Sequence, residues 1–332
     1  MNTNVTYLTA TVQQPELDPV LSAAAAFMLE WQRGHLKPLP TLYRSLERHA
    51  YQLNDASKEM MAAAQTSEAY LRTTNMGRII QRAEVRGVTP SVISLVQSTI
   101  NTVRSNLTIQ TAELKSSLKH VSALPVLDAS RDQARLLQEQ ASVQTILAAR
   151  NAELEVESAK LEAMQAALAA LEAIDVEVKF DGMLPTPEQL AALALPGGQA
   201  AVLAEAAAKA LKDLEKAIGQ LIGNLNYGRL QDERRQQAGT VRTLKQEIAE
   251  AGQALRQCQL QLKALEIIPS LLEMRSGWMA AVNVLIVAME GFGNRLSMAK
   301  PKDVEALRDI EAVFTALLAY QRSVIKQISD AF

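Results

Sequence analysis

The side chains that most often perform chemistry in proteins are few in this sequence and stand apart from one another. The histidines are His35, His49 and His120, and the single cysteine is Cys258. One cysteine cannot form an intramolecular disulfide, and none of the four has further ligands at metal-site spacing. His49 and Cys258 fall at apolar positions of helical heptads, which favours packed side chains over reactive ones. The sequence also lacks a glycine-rich phosphate loop and a nucleophile elbow. We therefore expect no enzyme, no cofactor and no metal site.

Charge and composition narrow the class of partner. The net charge of the 332 residues is -2, so the sequence offers no bulk electrostatic attraction to nucleic acid. No feature indicates a small-molecule substrate. The N-terminus has neither a basic start nor an apolar run, and no segment reaches about 18 uninterrupted apolar residues. We expect a protein made in soluble form, without a recognisable signal peptide or a constitutive transmembrane helix.

The elements that must position any functional residue are long helices. Aromatic residues make up 4 % of the chain, glycines number 14, and proline is absent from 126–184 and from 197–268. Proline breaks helices, so proline-free tracts of this composition run as single helices. The predicted helices cover residues 20–33, 41–86, 90–123, 128–177, 199–267, 270–298 and 302–331. The helix of 270–298 contains thirteen consecutive uncharged residues, and we expect it to be a core helix covered on all sides, the alternative being membrane contact.

Two of these helices carry coiled-coil seams. Leucines repeat at sevens on the first, and a second series on the returning helix alternates threes and fours from Val241 to Leu265. The first helix is acidic around residues 153–162 and the second is richer in arginine and lysine, which favours antiparallel pairing. The predicted fold is all-α: an elongated rod of long helices, with a tail bundle and a projecting coiled-coil hairpin neck that ends in an apolar head. The segments are 1–125 (tail), 126–177 (outgoing neck), 178–226 (head), 227–268 (returning neck) and 269–332 (tail).

The head is the candidate functional element. Residues 189–204 carry no charge, and the surrounding apolar side chains exceed what a two-helix tip buries on itself. Such a patch on a soluble protein marks a partner or a membrane, the alternative being a small self-packed subdomain. The residues expected to contact a membrane are Phe180, Met183, Leu184, Leu190, Leu193, Leu195, Val202, Leu203 and Tyr227. Glycines weaken helices, and the expected hinges are Gly182, Gly197, Gly198, Gly219 and Gly223.

A soluble rod of long helices with an apolar hairpin inserted halfway resembles the α-helical pore-forming toxins related to cytolysin A. Within that group the chain most resembles the B component of xenorhabdolysin-type binary cytotoxins. The matching features are the size, the helix order and the head DGMLPTPEQLAALALPGGQAAV between two proline-free arms. The resemblance implies a five-helix tail bundle and a head that inserts into membrane lipid after a conformational change. It also implies assembly with a separate A-type subunit into a hetero-oligomer. Secretion, followed by action at the membrane of a target cell, is implied as well.

The sequence therefore predicts one of two functions, which belong to different classes. The first is a subunit of a two-component pore-forming cytotoxin. The second is a non-enzymatic coiled-coil scaffold or adaptor that binds a protein through its head. Apolar character extends round the helix through AALALPGGQAAVLA, which favours a segment that faces lipid or refolds.

Overall fold

The computed structural model describes residues 14–194, 198–219 and 226–331. In these ranges the chain forms eleven α-helices and no β-strand, the only β-type contact being an isolated bridge between Met183 and Asn226. The helices are α1 Asp18–Arg33, α2 Pro40–Thr73, α3 Met76–Arg86, α4 Pro90–Ala123, α5 Ser130–Ala173, α6 Val176–Lys179, α7 Pro187–Ala194, α8 Gln199–Ile218, α9 Tyr227–Leu265, α10 Ile268–Met298 and α11 Val304–Ala331. The all-α prediction is confirmed.

Three of the predicted helices are interrupted. The helix expected over 41–86 stops before Asn75, which adopts a left-handed backbone conformation with φ of 50°. The helix expected over 128–177 stops before Asp175, where φ is 61°. The returning helix expected over 199–267 is two helices, because Gly219 closes α8 with φ of 66° and its N–H donates to the Glu215 carbonyl. Asparagine, aspartate and glycine reach this conformation most easily, so each break lies at a residue suited to it.

Contacts divide the chain into two compact units, residues 1–133 with 263–332, and residues 134–262. The first unit contains α1–α4, α10 and α11, and the second contains the apolar head with most of α5 and α9. The finer division into tail, neck and head segments stays a prediction.

The first unit is a bundle of the five helices α1, α2, α4, α10 and α11, with α3 packed on α11. Its core is mostly apolar, with scattered buried polar side chains such as Ser57 and His49, and it contains one layer of buried amides, in which Gln110 of α4 and Gln321 of α11 donate to each other at 3.3 and 3.0 Å. Gln321 also contacts the sulfur of Met289 on α10 at 3.6 Å. Two amides that satisfy each other fix the register of three helices, because sliding any of them strands a buried polar group.

Helix α10 is less covered than its sequence predicts. Trp278, Val282, Leu285 and Met289 are buried, whereas Val284 and Val287 on the opposite face are exposed. The helical stretch Tyr227–Met298 contains an 18-residue window of mean hydropathy 1.3, of which 28 % is buried. By length and composition alone this window could cross a membrane, although core helices of soluble proteins have the same properties. The expectation that α10 is covered on all sides is wrong, because α4 and α1 pack against only part of its circumference.

The amide layer gives a first test. Replacing Gln321 by leucine leaves the Gln110 amide buried without its partner, and we expect the free energy of unfolding to fall by about 1–3 kcal/mol. The double variant Gln110→Leu/Gln321→Leu removes both polar groups and should recover most of that loss. Urea unfolding of the parent, both single variants and the double variant measures the coupling. Additive effects of the two substitutions would show that the layer does not act as a unit.

Candidate functional site

Two antiparallel helices, α5 and α9, frame the candidate site within the second unit. Arg150 of α5 pairs with Glu247 of α9 at 2.9 Å, and farther along α5 the Glu157 carbonyl accepts from Gln237 at 2.9 Å. Positions that rise along α5 thus meet positions that fall along α9, which confirms the predicted antiparallel arms. Cys258 is buried between them, and burial followed by the charge of Glu139 raises the pKa of its thiol. This thiol is therefore a packed apolar group rather than a nucleophile.

Helix α7 begins in the head with a capping box. The Thr186 backbone N–H donates to the Gln189 side chain at 2.8 Å, and the Gln189 N–H donates to the Thr186 hydroxyl at 3.4 Å. Pro187 follows as the first helical residue, where its missing N–H costs nothing. The sequence TPEQ therefore starts a helix, which accommodates Pro187 at its first position.

The other end of the head is defined by the start of α9. The Asn226 side chain accepts from the Arg229 N–H at 2.8 Å, which caps the new helix. The Tyr227 N–H donates to the Gly182 carbonyl at 2.9 Å, so this start is tied to the loop that follows α6. Gly182 has φ of 73° and a substituted Cβ would meet no neighbour within 4 Å, so a side chain here is opposed by backbone conformation rather than by space.

The head packs on itself around one apolar core. Helices α7 and α8 lie side by side, and α8 presents the small buried residues Ala204 and Ala207. Small side chains let two helices approach closely, and Leu190 of α7 is 2 % exposed as a result. Among the described residues, the buried members of this core are Met164, Ala167, Leu168, Leu171, Ile174, Val176, Leu190, Ala207, Leu214, Tyr227 and Leu230.

The residues predicted to contact a membrane fall into three groups. Leu190 and Tyr227 belong to the buried core, and Phe180, Leu184, Leu193 and Leu203 pack against it partly buried. Met183 and Val202 are each 66 % exposed. Leu195 lies outside the described residues, as do the predicted hinges Gly197 and Gly223. The head thus holds more of its apolar surface inside than the sequence indicates.

The remaining predicted hinges share one backbone feature. Gly182, Gly198 and Gly219 all have positive φ, at 73°, 77° and 66°. Each lies at an end of a segment rather than inside a helix, so rotation there breaks no helical hydrogen bond. The loop before α7, the start of α8 and the end of α8 each carry one of them.

One polar contact joins the two arms beside the head core. The Tyr227 hydroxyl donates to the Glu172 carboxylate at 2.8 Å. Burial raises the pKa of the Tyr227 phenol, and the bond to Glu172 raises it further. The phenol is therefore neutral at ordinary pH and acts as a donor that positions the start of α9. Sequence reasoning missed Glu172, Thr186, Gln189 and Asn226, although the TPEQ capping box could have been found by its spacing.

Within the part of the chain that the structure describes, no group of three or more His, Cys, Asp or Glu side chains is placed to hold a metal ion. The head offers exposed apolar surface at Met183 and Val202.

Solved structures of other proteins share this helical architecture. The chain matches XaxB from Xenorhabdus nematophila with a TM-score of 0.79 at 14 % identity, over 96 % of this chain and 99 % of that one. PaxB from Photorhabdus luminescens matches with a TM-score of 0.76 at 14 % identity, over 95 % of this chain and 98 % of that one. The chain has the helical fold of xenorhabdolysin-type pore-forming toxin components. The predicted resemblance is therefore confirmed for the fold.

Matches to assembled pores are weaker. A chain of the XaxAB pore complex of Xenorhabdus nematophila matches with a TM-score of 0.66 at 13 % identity, over 97 % of this chain and 100 % of that one. A chain of the YaxAB pore complex matches at 0.58 and 13 % identity, over 97 % of this chain and 100 % of that one. No family model and no curated protein sequence matches.

The core of the head makes a direct stability prediction. Leu190→Ala removes a buried side chain from the contact between α7 and α8, and we expect a loss of about 2–5 kcal/mol in the free energy of unfolding of the second unit. Val202→Ala, at an exposed position of α8, is the matched control and should change it by no more than about 0.5 kcal/mol. Hydrogen exchange of α7 and α8 amides measures both. Equal protection in the two variants would show that Leu190 does not hold the head together.

Proposed function

We propose that this chain is one subunit of a two-component pore-forming cytotoxin, soluble before assembly, whose head inserts into the membrane of a target cell. The observation that carries this proposal is the self-packed apolar head set between two antiparallel arms, in a fold shared with XaxB and PaxB.

The apolar side chains of the head are partly buried and partly exposed, which supports transfer of the head from water to lipid as the step in which the protein acts. Exposing a large buried side chain such as Leu190 or Leu214 to water costs about 1.5–3 kcal/mol, so the core stays closed in solution. Lipid tails are as apolar as leucine, so the same side chains lose nothing when lipid replaces their neighbours. We infer that the head opens only where a bilayer receives it.

In this proposal, the exposed residues Met183 and Val202 contact the membrane first. The packed residues contact it after the head opens. Phe180, Leu184, Leu190, Leu193 and Leu203 are the apolar side chains that opening would present to lipid, with Tyr227 at the base of the head. Gly182, Gly198 and Gly219 are the positions that absorb the change in backbone direction, because glycine rotates freely between positive and negative φ.

We further propose that an A-type subunit assembles with this chain. XaxAB and YaxAB are pore complexes by name, and a chain in each shares this fold. This chain matches the XaxB crystal structure better than it matches the chain of the XaxAB pore, which supports a conformation that precedes assembly. The tail, neck and head segments keep their predicted boundaries in this proposal.

Charges in the exposed part of the head test the function. Met183→Asp/Val202→Asp places two carboxylates where we expect lipid, and a charge near the centre of a bilayer costs about 2.5–3.5 kcal/mol. Both side chains are exposed, so the variant should melt like the parent. Release of dye from phosphatidylcholine–phosphatidylglycerol liposomes, measured with and without the product of the neighbouring gene, should require that product and should be lost in the variant.

Val85→Asp is the matched control, because Val85 is 84 % exposed on α3 in the other unit. It should melt normally and permeabilise liposomes fully. Normal release by the head variant would argue against insertion of the head. No release by the parent under either condition, together with capture of a protein through the head, would favour the scaffold.

A further inference from the structure

A buried histidine lies in the five-helix bundle, away from the head. His49 of α2 is fully buried, and its ring stacks on Phe27 of α1 with centroids 5.4 Å apart and an interplanar angle of 25°. Its Nδ1 lies 2.7 Å from the Ser45 carbonyl, so Nδ1 carries the proton. Nε2 is buried and has no hydrogen-bond partner among the described residues. A second proton would therefore create a buried N–H without an acceptor.

The surroundings supply no free carboxylate to a charged ring. From α10, the charged group acting on His49 is the guanidinium of Arg275, which repels a positive imidazole. From α1 the ring of Phe27 covers it, and from α2 the only polar partner is the Ser45 carbonyl.

The carboxylate one helical turn beyond Phe27 is already engaged. Glu30 is buried and pairs with Arg33 at 2.6 Å and with His35 at 3.3 Å. From α4, the carbonyls of Val121 and Ser122 accept hydrogen bonds from Arg275 in this region. His120, near the C-terminal end of α4, is exposed. Among the described residues, the groups that act on the pKa of His49 include no carboxylate.

His49 lies between two contacts that hold the end of α4. The Ser45 hydroxyl donates to the Pro125 carbonyl at 3.0 Å, and the Ser45 carbonyl is the one that His49 engages. Arg275 donates from Nη2 to the carbonyls of Val121 and Ser122 at 2.8 and 3.2 Å. Two neighbours of His49, Ser45 and Arg275, thus hold residues 121–125, where α4 ends.

We propose that His49 is an acid-sensitive latch: its protonation drives the ring out of the bundle and releases residues 121–125 from Ser45 and Arg275. The neutral ring fits its site, and the charged ring would add an unsatisfied N–H beside an existing cation. Opening lets the imidazolium reach water, which is the state that acid favours. This latch does not depend on the proposed function of the head.

The direction of the pH effect follows from the pKa. Burial lowers the pKa of His49 from its ordinary value of 6.5, the bond to Ser45 opposes this in part, and Arg275 lowers it further. Above pH 6.5 the ring is neutral whether the latch is closed or open, and closure keeps its full stability. As pH falls from 6.5 toward the lower pKa of the closed state, only the open state takes up the proton. The ratio of open to closed molecules then rises by up to tenfold per pH unit.

Both tryptophans of the chain report on this region. Trp278 lies one turn after Arg275 on α10, and Trp31 packs edge-on against Tyr51, two residues after His49. We therefore expect the tryptophan emission of the full chain to change between pH 6.5 and pH 4.5 while the helical circular dichroism stays constant. In the His49→Phe variant, whose ring can keep the stack on Phe27 without titrating, this transition should disappear.

Two other histidine variants are the controls. His35→Gln removes the ring paired with Glu30, and His120→Gln removes an exposed ring on α4; both should keep the acid transition. Proton–nitrogen NMR titration of the parent assigns a pKa to each of the three histidines and decides the matter even if His49→Phe does not fold. A His49 pKa at or above 6.5, or an unchanged tryptophan transition in a folded His49→Phe variant, would overturn the latch.

Discussion

The close contact between α7 and α8 is the interaction on which the second unit depends. Leu190 of α7 shares one apolar core with Ala207 and Leu214 of α8 and with leucines of α5, and α7 packs against α8. The packing covers side chains that would otherwise form a large apolar surface. In the proposed function the head is convertible, because α8 begins after Gly198 and ends at Gly219, both of which have positive φ. A head built as one continuous hairpin would have to break helical hydrogen bonds in order to open.

Helix content and arm pairing could be predicted from the sequence because they depend on periodicity and on the absence of proline. Of the predicted seam positions, Leu168, Val241 and Leu244 are buried, whereas Leu147, Leu154 and Leu161 are half-buried. The breaks at Asn75 and Asp175 could not be predicted, because asparagine and aspartate occur inside helices as well as in left-handed turns. Whether they turn depends on tertiary packing.

The packing inside the head could not be predicted from the sequence. An uncharged stretch marks the head in the sequence, yet composition does not tell whether its leucines pack on one another or face outward. That depends on the alanines of α8 and on the cap of Thr186 and Gln189, which together set the length and approach of α7. The capping box was readable from its spacing. The contact of Tyr227 with Glu172 was not, since it joins residues 55 positions apart.

Buried polar groups have different roles in the two units. In the first unit, the amides of Gln110 and Gln321 satisfy each other and fix register, whereas His49 keeps one nitrogen without a hydrogen-bond partner among the described residues. In the second unit, Tyr227 donates to a carboxylate and stays neutral.

In the proposed function the head core exchanges protein neighbours for lipid. An environment-sensitive fluorophore at Ala192→Cys, an exposed position of α7, in a Cys258→Ala background reports this exchange. A probe at Val85→Cys serves as the reference in the other unit. When liposomes and the partner subunit are added, we expect the emission of the probe at residue 192 to shift to the blue and to be quenched by nitroxides on the lipid tails. The emission of the probe at residue 85 should not change. Dye release from the same liposomes with residue 192 still in water would contradict it.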